Sequence, residues 1–266
     1  MFSYEFMQNA YLAGTLIAII SGIMGVFVIA RNMSFMAHTL SEIGFAGAAF
    51  GMYAGLTPLN GMLVFTTISS MLVGQLSSKI ESRRESVISA ISGLFIGLGI
   101  LFLALSDKSS SYATSILFGS VIGISRADVW QMSILSILIL IVSLLMYRNL
   151  KDDSFDPVGA KTNHIPNRLI SVVFLIMLAL NVSVAAQIVG SLLIFILLTL
   201  PASSAKYFAH TVFSMMLLAI AFALVGVWVG LYLGYVTNLP VTFFIAVIEA
   251  LIYGVALIFN QLKYRH

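Results

Sequence analysis

Nine apolar stretches run almost end to end through this chain, at residues 8–30, 39–56, 60–78, 87–106, 128–147, 168–186, 188–201, 211–235 and 241–262. A helix rises about 1.5 Å per residue, so roughly 20 residues cross a hydrocarbon core of about 30 Å. Inside lipid the backbone must satisfy its own hydrogen bonds, which leaves the helix as the structure for such segments. The expected fold class is therefore all-α, a polytopic transmembrane helical bundle of eight or nine spans forming a single domain over residues 1–266. Composition leaves little else to fold. Sixty per cent of the 266 residues are hydrophobic and 9% charged, against about 25% charged in a soluble domain.

The first stretch, Asn9 to Ile29, lacks a basic leader and is followed by spans of equal strength, so it reads as retained rather than as a signal peptide. With no cysteine in the chain, disulfides and thiolate metal sites are excluded. The apolar segment Tyr112 to Gly123 is too short to span and reads as re-entrant or interfacial. Basic residues set the orientation. Lys79, Arg83 and Arg84 lie between the third and fourth spans, and Arg148, Lys151, Lys161 and Arg168 flank the longest loop, so both loops are expected in the cytoplasm. Counting outward puts Arg31, Lys206, Lys263 and Arg265 on the same side, eleven of the thirteen basic residues in all. Lys108 falls outside, Arg126 near the outer end of the fifth span, and the amino terminus faces outward.

Small residues four apart let helix backbones approach, and Gly93 with Gly97, and Gly226 with Gly230 and Gly234, fit that pattern. Ionisable residues inside spans are costly and mark function by default. His38 and Glu42 are four apart in Met33-Ser-Phe-Met-Ala-His38-Thr-Leu-Ser-Glu42, hence on one helix face. An imidazole and a carboxylate so placed can supply two ligands to a divalent transition metal. They can equally pair with each other to lower the cost of burial. Gly44 and Gly47, just beyond, suggest close packing or a break. Glu249, in the last span, reads as a structural partner of a polar group such as Asn181 or Gln187. His164, His210 and His266 fall in or beside cytoplasmic segments. No H-E-x-x-H, G-x-S-x-G or phosphate-loop signature occurs, so ATP hydrolysis has to come from a partner. The stretch from Leu198 to His210, following a short span, reads as a short helix at the inner surface, either a docking element or an ordinary connection.

Taken in order, Phe6-Met-Gln-Asn-Ala10, Gly25-Val-Phe-Val-Ile-Ala-Arg31-Asn-Met-Ser-Phe35, Leu117-Phe-Gly119-Ser-Val-Ile-Gly123, Ser154-Phe-Asp156-Pro157, Val189-Gly190-Ser-Leu-Leu and Leu200-Pro201-Ala-Ser-Ser-Ala205 resemble the permease subunits of bacterial metal-uptake ABC transporters, which import zinc, manganese or iron. The resemblance covers nearly the whole chain. It implies a type II importer permease in the bacterial cell membrane, with no permanently bound cofactor and a transported Mn²⁺, Zn²⁺ or Fe²⁺ ion. It also implies a second permease subunit, cytoplasmic ATPase subunits and an extracytoplasmic metal-binding protein, and no nucleic-acid partner.

By the same resemblance, Pro201, Ala202, Ser203, Ser204, Ala205, Lys206, Tyr207 and Phe208 form the coupling helix that rests on the ATPase. Family members commonly carry an Asp and a His four residues apart after the Met-Ser motif as metal-pathway ligands. Here those positions are His38 and Glu42, so the ligand types are kept in reversed order. The pair is expected to hold the ion transiently at the outer mouth of a dimer. Rival readings are a permease of the same fold with another small cargo, an ATPase-independent exporter or channel, and an intramembrane enzyme; for the last, no nucleophile or third strong ligand is found near His38.

Overall fold

The computed structural model of the protein describes residues 4–79, 84–106, 115–119, 125–156, 159, 167–191 and 193–263. Arg83, Lys108, Pro157, Lys161, His164, Arg265 and His266, and residues 112–114 and 120–123 of the short apolar segment, lie outside the described residues. The helices are α1 (Glu5–Ala30), α2 (Ser34–Tyr53), α3 (Pro58–Lys79), α4 (Arg84–Leu105), α5 (Arg126–Leu145), α6 (Tyr147–Phe155), α7 (Asn167–Val189), α8 (Ile194–Lys206), α9 (Val212–Thr237) and α10 (Val241–Lys263).

Helices underlie all nine predicted stretches, although that at 188–201 runs across the break between α7 and α8, and they are not nine equivalent spans. Among the described residues, six helices are long and apolar enough to cross a membrane: α1, α4 from Ile88, α5, α7 from Leu169, α9 and α10. α8 has 13 residues, about 20 Å of helix. α2 has 20 residues but carries His38, Glu42 and three glycines. Burial alone does not set the lower count, since the α1 and α7 windows are 72% and 67% buried and still count; α2 differs in being less uniformly apolar, which its surroundings allow. α2 is enclosed chiefly by α3 and α4, with nearly every residue from Met36 to Met52 removed from the surface, so its side chains face protein rather than lipid and need not be uniformly apolar. By contrast only 11% of the α4 window and 22% of the α5 and α10 windows is buried, and these helices turn broad apolar faces outward, as lipid requires.

Helix ends follow local chemistry. Ser125 and Asp128 form a reciprocal capping box at the start of α5, and Thr211 and Ser214 do so at α9, each satisfying amide groups that lack intrahelical partners. Asn32, between α1 and α2, and Asn238, at the end of α9, take left-handed backbone with φ of 53° and 57°, a conformation asparagine tolerates better than most residues. α1 is the central post, packed against α9 and α8.

Its two ends are tied by ion pairs. At one end Glu5 pairs with Arg126 at the start of α5. At the other, Arg31 pairs with Asp153 of α6 at 2.8 Å, donates from Nε to Ser154 at 2.8 Å and lies over the Phe174 ring at 4.4 Å. The Arg31 end is the one that the distribution of basic residues assigns to the cytoplasm.

Glycines join the helices, though not all where the spacing predicts. Gly226, Gly230 and Gly234 of α9 step along α10 against Glu249, Ile245 and Val241 in turn, an antiparallel seam of small residues. Gly47 and Gly51 of α2 meet Gly61 of α3 backbone to backbone, so Gly44 and Gly47 mark close packing within a continuous helix and not a break. Gly93 and Gly97, in contrast, face open space; on α4 it is Gly99 that packs, against Phe45 and Ala46.

Candidate metal-pathway site

The first turns of α2 leave the Arg31 end of the bundle, carrying His38 about 6 Å and Glu42 about 12 Å along the helix. The pair therefore stands in the half of α2 nearer the Arg31 end. His38 Nε2 lies 3.8 Å from Glu42 Oε1, so the two side chains do share a face. Two other helices complete their surroundings. Ser92 of α4 donates a hydrogen bond to Glu42 Oε2. Phe195 of α8 lies against the imidazole with ring centroids 4.8 Å apart, and Phe35 meets it edge-on at 6.4 Å. The His38 side chain keeps 36% of its surface exposed and that of Glu42 15%, so an ion could reach both. Nδ1 of His38 is buried without a hydrogen-bond partner among the described residues.

Among the described residues no group of three or more His, Asp or Glu side chains converges, so one chain supplies two strong ligands here and no complete cage. A cavity of about 710 Å³ opens at the opposite end, between Phe6 and Met7 of α1, Phe118, and Leu239 and Pro240 after α9. Its lining carries no carboxylate or imidazole.

The other predicted polar residues are dispersed. Asn181 of α7, fully buried, accepts from Ser21 of α1 at 3.1 Å, and Gln187 points its Nε2 at the Met62 sulfur, 3.5 Å away. Neither meets Glu249. That acid is fully buried with both carboxyl oxygens lacking a hydrogen-bond partner among the described residues, pressed against Gly226 of α9. The expected pairing is corrected: Asn181 uses its Oδ1 on α1 and leaves Nδ2 without a partner among the described residues, Gln187 turns to α3, and the Glu249 notch is made by a glycine. Burying polar atoms without hydrogen bonds costs on the order of 1–3 kcal/mol on mutational scales. Glu249→Met is therefore expected to raise the thermal midpoint of the detergent-solubilised protein, by an increment equivalent to about 1–3 kcal/mol; a lowered midpoint would mean that the carboxyl has a partner.

Residues 200–208 do not form a separate surface helix. They are the last turns of α8 and its exit, with Pro201, Ala202, Ser204 and Ala205 buried and Ser203, Lys206, Tyr207 and Phe208 on the partly or fully exposed side. Proline within the helix removes one backbone donor, while Thr199 and Ser204 hydroxyls bond back to the Phe195 and Leu200 carbonyls at 2.7 and 2.8 Å. Tyr207 lies beside Tyr253 of α10, with ring centroids 6.3 Å apart, and the neighbouring phenol is the main cause that holds its own phenol above the ordinary value. His210, beyond this exit, is exposed.

Residues 3–260 match the ABC 3 transport family. The chain belongs to that family. An uncharacterised membrane protein of Synechocystis is 31% identical over 258 residues, 97% of this chain and 92% of that protein. The manganese import system permease protein ScaB of Streptococcus parasanguinis is 30% identical over 238 residues, covering 90% and 85%. Among solved structures, PsaBC from Streptococcus pneumoniae in complex with Fab superposes with a TM-score of 0.86 at 28% identity, over 95% of this chain and 91% of that one.

Family membership, six apolar spans and this likeness make the protein a multi-pass ABC transport permease. In this permease the motif segments meet. Gly119 and Gly190, both at positive φ (76° and 81°), face one another so closely that any side chain would collide, and Ser191 N–H bonds to the Ile116 carbonyl at 3.0 Å. The short apolar segment is thus pinned, over residues 115–119, to the break between α7 and α8. Sequence reading missed Ser92 and Phe195, because a single serine or phenylalanine in an apolar span carries no spacing signal.

Proposed function

We propose that the protein is the membrane-spanning subunit of an ATP-driven importer of divalent transition-metal ions, acting as a dimer, with His38 and Glu42 of each copy forming the intramembrane way-station for the ion. The observation that carries this reading is the imidazole–carboxylate pair on one face of α2, partly open and held by side chains from two other helices. Mn²⁺ is the leading cargo, since the relatives include a manganese import permease; a nitrogen and an oxygen from each of two copies make a mixed set suited to Mn²⁺, Fe²⁺ or Zn²⁺.

In this reading an extracytoplasmic binding protein delivers the ion, which passes along the interface to the inner half of α2 and is held there weakly enough to leave. ATP is hydrolysed on cytoplasmic partner subunits. Their closure reaches the pathway through the exposed side of residues 200–208, and because the same helix carries Phe195 against His38, a displacement of α8 bears directly on a ligand.

The test is uptake of competing Mn²⁺, Zn²⁺ and Fe²⁺, resolved by mass, into cells carrying the full transporter with His38→Ala or Glu42→Ala. Each variant is expected to lower uptake of the cargo metal by at least about tenfold at unchanged protein abundance. Wild-type uptake of every metal in both variants would remove the pair from the pathway.

A further inference from the structure

The two oxygens of the Glu42 carboxylate are not equivalent. Ser92, on α4 and itself 8% exposed, donates to Oε2, and the oxygen facing His38 Nε2 is the other one, Oε1. The imidazole is also fixed, by Phe195 against its face and Phe35 at its edge. Each copy therefore presents one nitrogen and one oxygen in a set geometry. A carboxylate with one oxygen engaged by a hydroxyl is poorly placed to chelate through both.

That distinction separates classes of ion. Ca²⁺ collects six to eight oxygen ligands, commonly with carboxylates binding through both oxygens, whereas Mn²⁺, Fe²⁺ and Zn²⁺ take no more than about six and accept imidazole nitrogen among them. Ca²⁺ is also a hard cation with no preference for the imidazole. We propose that Ser92 is a specificity-determining positioning residue, which keeps Glu42 a one-oxygen ligand and so discriminates against Ca²⁺. The inference rests on His38 and Glu42 being the metal way-station. Ser92 touches no ion itself; it acts through Glu42.

The experiment is Mn²⁺ uptake by cells carrying the full transporter, measured against increasing external Ca²⁺, for the parent, Ser92→Ala, Ser92→Gly and Ser92→Thr. Loss of the hydroxyl in Ser92→Ala is expected to lower the Ca²⁺ concentration that halves uptake by about tenfold, the scale on which groups behind a ligand act. Ser92→Thr, which keeps the donor, should retain the parent's resistance. Ser92→Gly also lacks the hydroxyl and adds no bulk, so a folding defect in one variant leaves the other to be read.

Unchanged Ca²⁺ sensitivity in the hydroxyl-free variants, or equal sensitisation in Ser92→Thr, would overturn the proposal. Uptake that survives Glu42→Ala would instead overturn the way-station reading. The two failures are separate because the first is scored as a ratio of Ca²⁺ to Mn²⁺ effects and the second as loss of transport.

Discussion

Gly25→Val is expected to prevent stable folding, whereas Gly93→Ala and Gly97→Ala leave the protein as stable as the parent. At Gly25, α1 crosses α8 so closely that a β-carbon would run into the Leu198 carbonyl oxygen and come within 3.3 Å of the Ala202 side chain. The obstruction is backbone and cannot rotate away. α8 cannot retreat either, since Leu197, Leu198, Ala202 and Ala205 are fully buried and its start is tied through Ser191 to Ile116. Overpacking against mobile side chains costs about 1–3 kcal/mol; displacing a buried helix backbone should exceed that, about 3 kcal/mol or more. Gly25→Ala should fall between valine and parent. Gly93 and Gly97 meet nothing within 4 Å, so alanine there adds no collision and improves helix propensity. Thermal midpoints in detergent, with membrane abundance, check the ranking. A stable Gly25→Val would mean that the α1–α8 crossing is looser than described.

The sites of these glycines show where sequence reading stops. The spacing of Gly93–Gly97 and that of Gly226–Gly230–Gly234 are the same, and a four-residue interval places small residues on one face in either case. Only the second has a helix across from it. Spacing reports a property of one helix, and packing is a relation between two, so the partner must be known before the pattern has meaning. The nine helical stretches were legible because apolar length is local. What stands against His38, Glu42 and Gly47 was not, because only the fold shows that α3, α4 and α8 surround them. Glu249 illustrates the same limit: its depth in the last span was readable, but the expectation of a polar partner came from energetic need, and α9 offers it Gly226 instead. The His38–Glu42 pair was readable from an interval of four. Its supports, Ser92 and Phe195, lie 50 or more positions away in sequence and announce nothing there.

Exchanging the pair, as His38→Glu with Glu42→His, is expected to lower Mn²⁺ uptake by at least about tenfold even though both ligand types remain on the same face of α2. The surroundings of the two positions are not interchangeable. Position 38 is bounded by the faces and edges of Phe195 and Phe35, which suit a flat imidazole and offer a carboxylate no hydrogen bond and an electron-rich ring face. Position 42 receives the Ser92 hydroxyl, which suits an oxygen acceptor. The exchanged chain would put an unpaired carboxylate against aromatic carbon and leave Ser92 beside a ring whose coordinating nitrogen it would compete for.

Adding Phe195→Ser to the exchanged chain supplies a donor near position 38 and should recover part of the lost uptake, while Phe195→Ser alone should lower uptake in the parent. That opposite sign is the coupling a double-mutant cycle isolates. Full activity in the exchanged chain would mean that the membrane site reads only which ligand types are present. The expected loss would mean that the order His38 before Glu42 is fixed by α4 and α8, so that in this permease the ligands and the two helices holding them form one unit.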